Sequence, residues 1–126
     1  MAIPQPGQAV RGSKTGKPVM ALLDLLGRTW ALGILWNLNT QSLTFRQLQS
    51  HCEQISPSLL NTRLKELRSL QLIGHQGDGY CLTPLGQELF AIIRPLEGWS
   101  ADWAEALAQQ YQDDQSKART EQNDEA

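Results

Sequence analysis

The stretch from Thr44 to Leu72, TFRQLQSHCEQISPSLLNTRLKELRSLQL, constrains this chain most, because it reads as two short helices joined by a tight turn, each with its own start signal. Thr44 followed three residues later by Gln47 is a capping box, in which each side chain satisfies a backbone N–H that the helix start leaves unpaired. Phe45, Leu48, Cys52 and Ile55 then recur at helical spacing on one side, with Arg46, Gln49, Ser50 and Glu53 facing away. Ser56-Pro57 opens the second helix: a small polar N-cap precedes the residue whose missing N–H had no partner at that position. Leu60, Leu64 and Leu67 form its buried stripe, and Ser58, Thr62, Lys65 and Ser69 lie opposite, flanked by Asn61 and Arg68.

That exposed face offers hydroxyls, an amide and cations with no large apolar group, a chemistry suited to base edges and phosphates. Most amphipathic helices with polar outer faces are simply solvated, so the next segment matters. Leu72 to Thr83 is two short apolar runs around Asp78-Gly79, the dipeptide favoured in two-residue hairpin turns. A hairpin with its tip at Gln76, Gly77, Asp78 and Gly79 would form a wing. Leu43 is placed to pair with it as a short third strand, and in the second wing strand Tyr80 and Leu82 alternate inward with Cys81 and Thr83 outward. Helix, turn, helix, hairpin is the winged helix-turn-helix order, a mainly α fold with a small antiparallel β wing.

The flanks extend this plan. Residues 1–16, rich in Pro, Gly and small polar residues, read as a flexible arm, with Arg11, Lys14 and Lys17 as incidental cations able to touch phosphate. Pro18 opens a helix through Leu26 with Val19, Leu22, Leu23 and Leu26 apolar, ended by Gly27. The segment from Thr29 to about Leu38 is apolar almost all round and should be the central helix. Thr83-Pro84 repeats the cap-plus-proline signal for a helix through Leu85, Leu89, Ile92 and Ile93, which Pro95 breaks near 94–98. Beyond it Leu96, Trp99, Trp103, Leu107 and Tyr111 recur every three or four residues. The expected organisation is an arm over 1–16, the winged domain with terminal dimerisation helices over 17–112, and a disordered acidic tail over 113–126. Leu22, Trp36, Trp99, Trp103 and Leu107 are the expected dimer contacts, since aromatic anchors are enriched at interfaces.

Charge supports a nucleic-acid reading in one half only. Up to His75 there are eight basic residues against three acidic, and beyond it three against ten, so +5 and −7 make up the overall −2. The positive half coincides with the helix pair. No stretch approaches the roughly 20 apolar residues of a membrane span, and no basic, apolar signal peptide opens the chain, so a cytoplasmic location is expected. A length of 126 residues suits one domain, and two cysteines make no disulfide framework.

No nucleophile motif, phosphate loop or paired carboxylate suggests an enzyme, and nothing calls for a cofactor. His51, Cys52, His75 and Cys81 are the metal candidates, and their spacing fits no compact zinc pattern.

The chain resembles the HxlR-type winged helix-turn-helix regulators, bacterial transcription factors that bind DNA as homodimers. The resemblance rests on Leu25-Leu26-Gly27-Arg28-Thr29-Trp30, Leu43-Thr44-Phe45-Arg46-Gln47-Leu48, Ile55 through Leu67, Tyr80-Cys81-Leu82-Thr83-Pro84-Leu85-Gly86 and Trp99, covering about Pro18 to Leu107. It implies that the helix from Pro57 is the recognition helix in the major groove, the Gln76–Gly79 hairpin the wing, and the first and last helices the dimer contacts. Arg63 matches an arginine typical of the family, and its projection beside the leucine stripe leaves it to bridge to a neighbouring helix or to reach a phosphate. Many members carry a cysteine just before the first helix, and Lys17 stands near that place here, which removes redox sensing through it. The wing is short and lacks Lys and Arg.

The expected function is therefore a homodimeric repressor reading a near-palindromic site on double-stranded DNA through Arg46, Ser56, Ser58, Asn61, Thr62, Arg63, Lys65 and Arg68. An adaptor that binds proteins instead of DNA is the alternative, favoured by the acidic wing. A third role, sensing an aromatic effector by stacking on Trp30, Trp36 or Trp99, competes with their ordinary use as core.

Overall fold

The computed structural model describes residues 3–124. Six helices and one hairpin follow in the order α1 (Pro18–Leu26), α2 (Ala31–Asn37), α3 (Phe45–His51), α4 (Pro57–Ser69), β1 (Ile73–Gln76), β2 (Gly79–Leu82), α5 (Pro84–Ile93) and α6 (Leu96–Asp124). The chain divides into two compact units, Met1–Phe90 and Ala91–Ala126.

In the first unit, Ile34 and Leu35 of α2 meet Leu48 of α3, Cys52 behind it, and Leu60, Leu64 and Leu67 of α4 in a core closed to solvent. α2 is shorter than its apolar run predicts. Trp30 adopts a left-handed φ of 68° at its N-cap, and a Cβ on Gly33 would sit 2.8 Å from the indole, so the small residue makes room for the ring. Trp36, an expected dimer contact, is half-buried and meets Phe90 edge-on, ring centroids 5.2 Å apart at 82°. The predicted stripe of α1 is also turned: Ala21 and Leu25 are buried, Leu22 is half-buried, and Val19 and Leu23 stand exposed.

The capping box forms as read, with the Gln47 N–H donating to Thr44 Oγ1 at 3.2 Å and the Thr44 N–H to Gln47 Oε1 at 2.9 Å. α3 stops at His51, before the apolar spacing does, because Glu53 and Gln54 both take left-handed φ, 56° and 59°. Non-glycine residues rarely enter that region. Here the turn is held by the Gln54 N–H on the Gln49 carbonyl and by Gln49 Nε2 on the Ile55 carbonyl, which drops Ile55 into the core from a loop rather than from a helix.

α4 closes with Gln71 left-handed at 65° and the Leu72 N–H reaching back five residues to the Leu67 carbonyl at 3.0 Å, a Schellman closure with glutamine where glycine is usual. The next helix anchors on it. Thr83 Oγ1 donates to the Gln71 carbonyl at 2.6 Å and accepts from the Gly86 N–H at 3.0 Å, so one hydroxyl caps α5 and holds the end of α4. The buried face of α5 carries Gly86, Phe90 and the predicted Ile93, while the predicted stripe members Leu85 and Ile92 are exposed.

β1 and β2 pair antiparallel with Gln76 opposite Gly79, so the two-residue loop is Gly77-Asp78, one position earlier than the Asp-Gly rule placed it. Only Gly77 has positive φ, 60°, which fits a turn that wants glycine at its first central position. Gly79 is buried because Leu43 runs alongside, exchanging backbone hydrogen bonds with Tyr80 at 3.0 and 2.7 Å; the expected third strand is this single bridge. Leu82 points inward as read, and Tyr80 is half-buried.

Two regions expected to lack structure have it. The arm doubles back between Gly7 and Gly16, whose N–H and carbonyl pair at 2.8 Å, with Val10 bridging Ser13 and Pro4 buried; left-handed glycines at 7, 12 and 16 allow the reversals. α6 runs on through Asp124, where polar residues at helical spacing bond one another, Gln109 to Asp113 and Gln115 to Tyr111. Residues 1, 2, 125 and 126 of the expected arm and tail lie outside the described residues. The break at Pro95 falls as predicted, between Ile93 and Leu96.

A Cβ on Gly86 would collide with the Leu72 carbonyl, which is already committed to the Thr83 N–H. Gly86→Ala is expected to lower stability by about 1–3 kcal/mol. Urea unfolding checks this, and an unchanged midpoint would show that the α4–α5 junction yields freely.

Candidate nucleic-acid interface

α4 shows two chemically opposite faces. Leu60, Leu64, Glu66 and Leu67 are buried, while Ser58, Asn61, Thr62, Lys65, Arg68 and Ser69 are exposed. Ser56 is the exposed N-cap, its Oγ accepting from the Leu59 N–H at 3.2 Å. The Thr62 hydroxyl donates to the Ser58 carbonyl at 3.0 Å and keeps its oxygen lone pairs outward. An open hollow of about 540 Å³ lies between α4 and β1, lined by Lys65, Arg68, Ser69, Ile73 and Gly74. Arg46 is exposed on α3.

Arg63 does not join this face. Its Nε donates to the Thr29 carbonyl at 2.7 Å and its Nη1 to Glu66 Oε1 at 2.9 Å, with the side chain only 13% exposed. Of the two roles left open for it, bridging to a neighbouring segment is the one adopted. Glu66 also receives Arg28 Nη1 at 2.8 Å, and Arg28 lies 3.6 Å from Asp24. Asp24 in turn accepts from Arg11 Nε at 2.8 Å. Sequence reading missed this five-membered alternation of charge. Its signal was present as opposite charges at i, i+4 (Asp24, Arg28) and i, i+3 (Arg63, Glu66) beside apolar stripes.

At the wing, Gln76, Gly77 and Asp78 are exposed and Gly79 is buried, so three of the four expected tip residues face out. The exposed His75 ring lies 4.6 Å from that of Tyr80, tilted 39°. Of the expected dimer contacts, Leu22 and Trp36 are half-buried in the first unit; on α6, Trp99, Trp103 and Leu107 are exposed together with Tyr111, and the two indoles stack 5.7 Å apart.

Among the described residues no group of three or more His, Cys, Asp or Glu side chains can hold a metal. Cys52 is fully buried beneath α2 residue Asn37, whose amide approaches its sulfur at 3.9 Å; burial pushes its thiol above the usual range, and the neighbouring Glu53 carboxylate adds to this. A thiol so held stays protonated and unreactive near neutral pH. Cys81 is half-buried. Iodoacetamide at neutral pH is expected to label Cys81 and spare Cys52 until urea unfolds the chain; peptide mass spectrometry reads this, and early labelling of Cys52 would contradict its burial.

The HxlR-like helix-turn-helix family model matches residues 25–108, from the end of α1 into α6. An uncharacterized HTH-type transcriptional regulator of Methanocaldococcus jannaschii is 31% identical over 91 residues, 69% of this chain and 86% of that one. Quinone-bound YodB from B. subtilis superposes with a TM-score of 0.62 at 27% identity, over 67% of this chain and 96% of that one. A MarR-family regulator from Porphyromonas gingivalis gives 0.61 at 25% identity, over 71% and 94%. With the family model matching two thirds of its length, the chain belongs to the HxlR-like helix-turn-helix family, a non-enzymatic class of transcriptional regulators.

Proposed function

We propose that this protein is a homodimeric repressor that reads a near-palindromic operator with α4. The observation that carries the reading is the split of α4 into a sealed face, leucines with an ion-paired glutamate, and an open face of Ser58, Asn61, Thr62, Lys65, Arg68 and Ser69 without a large apolar side chain. Short polar groups at the helix start suit base edges, and cations further along suit the backbone. Asn61 and Thr62 read bases; Lys65, Arg68 and Arg46 hold phosphates. Arg63 acts from behind, as a brace.

The wing contributes little. Asp78 at its exposed tip repels phosphate, and no Lys or Arg accompanies it. Dimerisation through the exposed Trp99, Trp103, Leu107 and Tyr111 face of α6 would hold two reading helices about one DNA turn, roughly 34 Å, apart. Occlusion of a promoter is the simplest outcome of such binding.

Fluorescence anisotropy against a selected operator and scrambled duplexes, over a salt series, tests the assignment. Lys65→Ala is expected to weaken binding on every duplex and lower the salt slope by about 1, whereas Asn61→Ala flattens the preference at one base pair by about 1–3 kcal/mol. Equal losses on all sequences for both variants would overturn the roles, and no binding by the parent protein even at low salt would favour a protein-binding adaptor. Trp103→Glu is expected to convert the dimer to monomer in sedimentation velocity; an unaltered dimer would remove α6 from the interface.

A further inference from the structure

We infer that Arg11, on the N-terminal arm, is a positioning residue for α4, acting through Asp24, Arg28, Glu66 and Arg63; its bearing on operator affinity rests on the reading proposed above. The five side chains alternate in sign, and four of them are nearly out of water. Side-chain exposure falls from 59% at Arg11 to 4% at Asp24, 5% at Arg28, 9% at Glu66 and 13% at Arg63. Each carboxylate stands between two guanidiniums. Asp24 offers Oδ1 to Arg11 at 2.8 Å and Oδ2 to Arg28 at 3.6 Å; Glu66 offers Oε2 to Arg28 at 2.8 Å and Oε1 to Arg63 at 2.9 Å.

Arg28 is thus shared between two acids, and Arg11 sets how the sharing falls. While Arg11 holds Asp24, the guanidinium of Arg28 leans to Glu66, the shorter contact. Asp24 is 4% exposed with Arg11 in place; without Arg11 its carboxylate loses its shortest ion pair and draws Arg28, its other guanidinium partner, toward it. That draw comes at the expense of Glu66, on the helix that carries Thr62 and Lys65. Low local dielectric keeps such shifts from being screened.

The arm has a second hold at the same place. Pro4 and Pro6 close over a small apolar cleft of about 150 Å³ whose other walls include Leu22 and Leu25 of α1 and Leu70 and Leu72 at the end of α4. The arm therefore spans α1 to the end of α4 and is pinned to the charge chain by one exposed residue. Because the Arg11 side chain is 59% exposed, its replacement by alanine removes no buried apolar side chain.

Hydrogen exchange over residues 57–72 in the full chain, without DNA, and operator binding across a salt series are measured for Arg11→Ala and Arg11→Lys. Arg11→Ala is expected to speed exchange in α4 and to weaken binding about fivefold with the salt slope unchanged, and Arg11→Lys to restore both. A slope lower by about 1 with normal α4 exchange would make Arg11 a direct phosphate contact and overturn the inference. Unchanged exchange in α4 overturns it whatever the DNA result. Faster exchange in a protein whose parent form binds no duplex would uphold the coupling to α4 while removing the operator reading.

Discussion

Glu66 accepts hydrogen bonds from two guanidiniums at a place that water hardly reaches, and the orientation of α4 depends on it. Leucines at 60, 64 and 67 drive the helix into the core, but dispersion and burial are nearly indifferent to a small roll about the axis. Charge-assisted hydrogen bonds are directional. A roll of the helix would lengthen the contact of Arg28 with Glu66 and that of Arg63 with the Thr29 carbonyl, and losing one partner of a buried ion pair costs about 3–5 kcal/mol. The same lock fixes which residues face out, Ser58, Asn61, Thr62 and Lys65 among them.

The backbone supports this arrangement with uncommon geometry at three of its corners. Trp30, the Glu53-Gln54 pair and Gln71 all adopt left-handed φ, and all stand at the start or end of a helix. Each corner is held by bonds that a relaxed conformer would lose. The Trp30 carbonyl accepts from Ile34, the Gln54 N–H reaches Gln49, and the Gln71 carbonyl receives the Thr83 hydroxyl. Local strain is thereby tied to tertiary contacts, and the helices cannot slide independently. Thr83 shows the economy best, because one hydroxyl ends α4 and begins α5.

The legible parts of the fold were those with local causes. Thr44 and Gln47, Ser56-Pro57, Thr83-Pro84 and Pro95 each act within four residues, and each boundary fell where those residues placed it. The leucine stripe of α4 was legible for the same reason. Misjudged features needed partners distant in sequence. Gly79 was read as a turn residue, yet it is glycine because Leu43 passes beside it, and the turn moved to Gly77-Asp78. The packing of Trp36 on Phe90 was not legible because nothing in its neighbourhood announces a ring 54 positions on. Arg28 and Glu66 are separated by 38 positions, so the buried charge chain had only its short-range pairs to show. The arm was taken for disordered on composition, although its glycines permit the reversals that bring Arg11 to Asp24.

Charge counted along the sequence therefore overstates what DNA would meet. Of the eight cations up to His75, Arg11, Arg28 and Arg63 are engaged with Asp24 and Glu66, leaving Lys14, Lys17, Arg46, Lys65 and Arg68 as the cations outside that chain. Only Arg46, Lys65 and Arg68 lie on the helix pair itself. A surface with so few phosphate partners gains little from counterion release, which supplies nonspecific affinity. In the operator-reading role proposed above, selectivity would then come from the polar groups of α4 and from the accuracy with which that helix is presented. For such a surface, a brace of buried ion pairs behind the helix matters more than additional cations in front of it.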